Sequence, residues 1–254
     1  MKILSFNLKG DTAFFRSNSY NDGNITYSYG HIHKVALLGM LGAILGLQGH
    51  NTAYILYGSK YKYPEFYKIL KDIKIAIKPN GKRGSFTRKK QNMINGCGYS
   101  VNGKTLMYTE QWLYKVNWDI FIDLDSIDKE IANKLEDYIM NSKAVYMPYL
   151  GKANHPAVIT NPKIVIGEKQ NEKEIIIDSL FLLEDESIQI NNTIHPFNIE
   201  NTNIYEYREL LPLAYVENTC IYKKSIFALT NKTCYLDKNI KNVVKIDKMN
   251  LYMF

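Results

Sequence analysis

The chain has 254 residues, 46% hydrophobic and 22% charged, with 32 Lys and Arg against 25 Asp and Glu. This is a globular composition, long enough for one large or two small domains with real cores. Three cysteines, Cys97, Cys220 and Cys234, are odd in number and lack a C-x-x-C spacing, which excludes a disulfide framework and a zinc site.

The chain starts MKILSFNLKG, with too short an apolar run for a signal peptide, so a reducing, cytoplasmic setting is expected. Lys2 to Leu8 alternates in the period-2 manner of a strand with one buried face. Lys9 to Ile32 reads as a polar loop, and a connection of that length is usually functional. It carries Arg16, Thr26, Tyr27, Tyr29, His31 and His33, and runs straight into thirteen residues without a polar side chain, Val35 to Leu47. That apolar run is predicted to be one helix. At 100° per residue, Ala36, Gly39, Gly42, Ala43 and Gly46 share a stripe of about 120°, and bulky residues cover the rest. Each interior Gly costs about 1 kcal/mol of helix stability relative to Ala, so something must approach the stripe closely, either a packed neighbour or a ligand. Thirteen apolar residues also fall short of the roughly 20 that a membrane span needs. At the helix N-terminus, free N–H groups beside His31, His33 and Lys34 could hold a phosphate.

Pro64 opens a short helix, PEFYKILKD, and Ile73 to Lys78 alternates as a second strand. From Ile73 to Thr109 there is no acid, while eight basic residues occur, including Lys82, Arg83, Arg88, Lys89 and Lys90. Outside this window 24 basic residues face 25 acidic ones, so the whole net charge of +7 is local, as in a patch for a polyanion. Residues 79–105, rich in Gly, Lys and Arg, are predicted to form a basic β-hairpin arm. Gln111 to Leu124 supplies a third strand. Asp125 or Ser126 is expected to cap an amphipathic helix with Ile127, Ile131, Leu135, Tyr138 and Ile139 on one face. Ala144 to Leu150 is read as a fourth strand. The fold class is thus α+β, with an RRM-like, ferredoxin-like β-α-β-β-α-β domain at 1–150 and a smaller β-rich domain at 151–254.

Three stretches together carry a family resemblance: the loop-helix FFR…ITYSYGHIHKVALLGMLGAILGL, the two strands that bear the arm, and Pro148-Tyr149-Leu150-Gly151-Lys152. They resemble the Cas-five family, the subunit of CRISPR type I interference complexes (Cascade) that holds the 5′ handle of the guide RNA. Glu209-Leu210-Leu211-Pro212 is similar to a further element of that family, and Gly30-His31-Ile32-His33-Lys34 looks like its type I-B branch. The resemblance implies a non-catalytic subunit that binds and caps the crRNA handle and joins the backbone (Cas-seven) and large (Cas-eight) subunits in antiviral defence. Contact with target DNA near the protospacer-adjacent motif stays open. It also implies RNA contacts by Arg16, Tyr27, His31, His33, Lys34 and Lys152, with Lys82, Arg83, Arg88, Lys89 and Lys90 lining the arm. Tyr29, Phe86 and Tyr99 are further stacking candidates.

One branch of the family is a metal-independent endoribonuclease that processes the repeat RNA, and that is the alternative function. Such cleavage needs a base and an acid. His33, Lys34 and Tyr29 are close in sequence, but no Lys-His pair follows the arm, and His155 and His195 both precede a proline. No catalytic residue, metal or cofactor is therefore expected.

Overall fold

The alternating N-terminal segment forms β1 (Lys2–Ala13), and its neighbours set the plan of the molecule. The structure is a computed structural model, described here for residues 1–22, 25–58, 61–95, 106–191, 203–237 and 240–254. It is a mixed α+β protein with one main sheet and three smaller sheets among these residues. After β1 come β2 (Arg16–Asp22), β3 (Ile25–Ser28), α1 (Lys34–Leu45), α2 (His50–Tyr57), α3 (Glu65–Leu70), β4 (Ile75–Pro79), β5 (Thr87–Asn95), β6 (Leu106–Asp123), α4 (Lys129–Met140) and β7 (Val158–Ile166).

β1 lies between β6 and β7, antiparallel to both, and β4 pairs with the far side of β6. The eighteen-residue β6 serves several partners: Leu113 to Asp123 pairs with β1 and Trp118 to Ile122 with β4, while its first half joins β5 from Thr87–Tyr114 to Asn95–Leu106. β5 and β6 are thus the two strands of a hairpin; residues 96–105, including Tyr99, lie outside the described residues. Leu4, Phe6 and Leu8 of β1 face the main core with Trp118, Leu37, Leu41 and Leu135, where each fully buried aliphatic contributes roughly 1.5–3 kcal/mol. Ile3 points the other way, into a second layer with Ala76, Phe121, Val244 and Leu251, so the start of β1 is buried on both faces.

Several expectations are corrected. Most of the presumed loop from Lys9 to Ile32 is strand: the end of β1, then β2 and β3, with β3 parallel to β6. Ala144 to Leu150 is no strand but a turn-rich segment with an isolated bridge between Tyr149 and Pro156; the further strand of the main sheet is β7, beyond residue 150. Pro162 is accommodated within it: among the described residues β7 pairs in this sheet with β1 alone, and Pro162 follows Asn161, whose φ of 54° goes with a bulge there. α4 is capped by Asp128, whose carboxylate accepts from the Glu130 and Ile131 N–H groups, while Asp125 and Ser126 form a preceding 3-10 turn.

The remaining strands are short, apart from one long hairpin. They are β8 (Glu168–Lys169), β9 (Glu174–Ile175), β10 (Phe181–Leu182), β11 (Ile188–Ile190), β12 (Glu206–Tyr215), β13 (Tyr222–Thr230), β14 (Cys234–Leu236), β15 (Val243–Ile246) and β16 (Met249–Tyr252). Leu211, Phe227 and Leu229 of the β12–β13 hairpin belong to the same core as α1.

Candidate nucleic-acid interface

α1 begins at His33, in extended conformation, whose imidazole Nδ1 accepts the Ala36 N–H at 3.2 Å as the N-cap. It ends at Gly46, where a φ of 81° allows the N–H to close on the Ala43 carbonyl. Along the small-residue stripe the neighbours differ. Gly42 is covered by α3: a Cβ there would lie 2.5 Å from the Phe66 Cβ. At Gly39 a Cβ would meet only the Phe66 ring edge, at 3.8 Å, and Ala36, Gly39 and Ala43 remain half-exposed. They form the floor of an open groove of about 1140 Å³.

One wall of the groove contains Phe14, Phe15 and Arg16 together with Glu110 and Lys152; His50, Phe66, Tyr215 and Tyr222 line it elsewhere. The turn at Leu150-Gly151-Lys152 is set by close packing. Leu150 is fully buried and bonds its carbonyl to the Phe14 N–H, and Gly151, at φ 91°, passes so near the Phe14 carbonyl that no Cβ would fit. This aims Lys152 at Glu110 (2.7 Å), with its Nζ 5.3 Å from the centre of the Phe14 ring. Glu110 is only 5% exposed, and its other oxygen accepts the Trp112 indole N–H at 2.8 Å.

The expected site residues are distributed as follows. Arg16 is exposed on β2 and lines the groove, as do His33 and Lys152. Tyr27 is half-buried on β3, next to the groove-lining Thr26. His33 is 4% exposed, with edge contacts to Phe15, Tyr29 and Tyr222; burial holds its pKa down at about 3, so the ring is neutral. His31 is fully buried, accepts the Trp118 indole N–H at 3.3 Å, and packs edge-on against Phe86 and Tyr207. Its pKa is also lowered to about 3, by burial first and by the charge of Arg88 second. Lys34 is buried as well, with its pKa lowered to about 8 by desolvation, and its Nζ donates to the Phe254 carbonyl at 3.0 Å. His31 and Lys34 are therefore core-facing groups at the start of the helix.

The arm residues do not share one face. Lys82 and Arg83 sit in a tight turn before β5, where Lys82 bridges to Ser85 and Arg83 has a φ of 53°. On β5, Lys89 lies over the Tyr114 ring at 4.8 Å, while Arg88 points to the opposite side, toward Gly30, Tyr207 and Glu209. Lys89 and Lys90 are exposed.

Two functional candidates escaped the sequence reading. Glu110 is the first acid after the acid-free window, a signal available in the sequence. Tyr207 joins Glu209, whose carboxylate accepts the Gly30 N–H at 2.9 and 3.0 Å and the Tyr207 hydroxyl at 2.6 Å. Burial raises the Glu209 pKa. The β12 hairpin thus clamps the segment that leads into α1. Among the described residues no group of three or more His, Cys, Asp or Glu could hold a metal ion, and no helix is long and apolar enough to cross a membrane.

No protein-family profile and no curated protein matches the chain. Solved structures with a similar fold include CRISPR-associated proteins. A CRISPR protein from Archaeoglobus fulgidus superposes with a TM-score of 0.50 at 9% identity, over 99% of this chain and 98% of that one. A chain of a CRISPR RNA-guided surveillance complex gives 0.47 at 12% identity, over 91% and 90%. A chain of the type III-B Cmr-beta complex bound to cognate target RNA and AMPPnP gives 0.46 at 14%, over 92% and 86%. At these identities the likeness is one of fold.

Proposed function

We propose that the protein is a non-catalytic subunit of a CRISPR type I interference complex, of the type I-B kind, that binds the 5′ handle of the guide RNA. The observation that carries this reading is the open groove along the half-bare face of α1, with an aromatic wall and a basic hairpin arm in the same sheet. Aromatic side chains beside a basic strand suit an unpaired RNA segment, whose bases stack and whose phosphates meet Lys and Arg. The strand order β7-β1-β6-β4, with α1 between β1 and β4 and α4 between β6 and β7, supports an RRM-like core.

Partner subunits are supported by exposed apolar side chains. On α2, Tyr54, Ile55, Leu56 and Tyr57 are all more than half exposed, Ile55 at 79%, and Tyr146 and Met147 add a second patch. Clustered exposure of this kind marks protein-interaction surfaces. Two imidazoles line the groove, and their bonding favours a binder over a nuclease. His33 uses Nδ1 as the helix cap, and His50 has Tyr61 on Nδ1 and Tyr215 on Nε2.

The test is co-expression with candidate backbone and large subunits and a repeat-containing RNA. The complex should co-purify with RNA, and reversing charge at Lys89 and Lys90 should weaken its RNA affinity and flatten the salt dependence. Recovery of neither RNA nor subunits would refute the reading, as would cleavage of repeat RNA by the chain alone in EDTA.

A further inference from the structure

Gly30 is buried in the segment that leads into α1, and its backbone does not call for glycine, because its φ lies outside the left-handed region. The reason for glycine is space. A Cβ there would strike the Tyr207 hydroxyl, and would come within 2.5 Å of the Arg88 Nη2 and 3.0 Å of the Glu209 Oε2. Three polar side-chain ends from β5 and β12 therefore meet at the point that the missing side chain leaves open. Tyr207 and Glu209, two residues apart on β12, present one face of that strand. The Glu209 carboxylate accepts the Gly30 N–H at 2.9 and 3.0 Å and the Tyr207 hydroxyl at 2.6 Å. Burial raises its pKa, and these two donors together with the Arg88 charge work against that rise. Although Arg88 is exposed as a residue, its guanidinium is turned to this point. It sits at the root of the arm: its β6 partner, Leu113, also pairs with Ala13 of β1, and the exposed Lys89 and Lys90 follow it.

We propose that Glu209 is a positioning residue for the arm: with Tyr207 it holds the Arg88 guanidinium against Gly30, so that the β12 hairpin fixes the root of β5, and Arg88 serves as the anchor of the arm rather than as one of its phosphate contacts. This deepens, and rests on, the reading of the arm as an RNA-binding element. The consequence has a sign. A carboxylate beside a basic strand repels a polyanion, so if Glu209 were a bystander, neutralising it would tighten RNA binding. As an anchor its loss weakens binding, because the arm no longer presents Lys89 and Lys90 in one preorganised place.

The experiment compares the unaltered full chain with Glu209→Gln, Gly30→Ala, Arg88→Gln and Lys89→Gln. Glutamine keeps the length of glutamate and an oxygen for the Gly30 N–H, but removes the charge that faces Arg88. Gly30→Ala changes no charge and suits the backbone, so it opens the cluster by its methyl group alone. One readout, hydrogen-exchange mass spectrometry over Thr87–Asn95, needs no ligand. The other is fluorescence anisotropy with single-stranded U8 oligoribonucleotide across a range of salt, at a temperature where circular dichroism shows each variant folded.

The proposal expects Glu209→Gln and Gly30→Ala both to speed exchange at the start of β5 and to bind U8 about tenfold more weakly, with no further effect of Glu209→Gln in a chain that already carries Arg88→Gln. Arg88→Gln should weaken binding while leaving the slope of log affinity against log salt unchanged, whereas Lys89→Gln flattens it by about 0.7, the value for one phosphate contact on a single strand. Tighter U8 binding by Glu209→Gln, or a slope flattened by Arg88→Gln, overturns the anchor and returns Arg88 to the phosphate contacts. Unchanged exchange in both Glu209→Gln and Gly30→Ala overturns it as well. Absence of U8 binding by the unaltered chain at low salt, with the exchange results as expected, refutes the RNA-binding reading of the arm and leaves the anchor standing. Should Glu209→Gln fail to fold, Gly30→Ala and Arg88→Gln decide.

Discussion

His31 and His33 lie two residues apart in the short segment before α1 and share one electrostatic fate. A helix N-terminus disfavours an imidazolium, but at His33 burial is the cause that holds the ring neutral. Both pKa values lie at about 3, well under the ordinary 6.5. Above pH 6.5 neither folded nor unfolded chain protonates these rings, and their full contribution to stability is present. Below it the unfolded chain takes up protons that the folded one refuses, so stability falls with pH until about 3, at roughly 1.4 kcal/mol per pH unit for each ring. Urea midpoints should therefore drop between pH 6.5 and 4, and the drop should be shallower in His33→Asn. An identical slope in that variant would disprove the assignment. The residue types at this segment were legible in the sequence, but their direction was not. Nothing local to Gly30-His31-Ile32-His33-Lys34 announces that Trp118 and Phe254, both distant in the chain, would bond its polar atoms, or that Tyr207 would pack edge-on against His31.

Helix α1 was the most readable element, because thirteen apolar residues bounded by a polar loop admit few alternatives. Its glycines looked equivalent in sequence, and packing distinguishes them. Gly42→Ala would drive a methyl into the Phe66 side chain and should destabilise the protein by roughly 1–3 kcal/mol. Gly39→Ala meets no close atom and, by improving helix propensity, should be neutral or stabilising by up to about 1 kcal/mol. Urea unfolding of the two variants separates these outcomes, and equal effects would contradict the half-covered stripe. Strands β2 and β3 were harder to read, and β7 shows how a proline can sit within a strand. The first two are polar because they build the rim beside the groove, so they lack the apolar alternation that marks a strand with a buried face. β7 has apolar residues but also Asn161-Pro162, which a bulge on a strand with a single neighbour in the main sheet accommodates.

At the scale of the whole molecule, the parts of the chain before and after residue 150 share structure that composition could not reveal. β7 covers one edge of β1; Leu180, Leu211, Phe227 and Leu229 pack into the core built on α1; and Phe254 exchanges backbone hydrogen bonds of 2.9 and 3.1 Å with Ile75 at the start of β4. Glu209 supplies the carboxylate that holds Gly30, so the segment leading into α1 is tied to the β12 hairpin. A chain ended at residue 150 would expose the Lys2 to Lys9 edge of β1 as an unpaired template and open the core on the side of Leu211 and Phe227. The expected outcome is that residues 1–150 expressed alone aggregate or lack a cooperative melt, while the full chain unfolds in one transition with respect to these two parts. Size-exclusion chromatography and thermal melting followed by circular dichroism measure both. A monomeric 1–150 fragment with a sharp melt would instead mean that the core around α1 closes without the β12–β13 hairpin, and the clamp on Gly30 would then act on the segment leading into α1 without being needed for the fold.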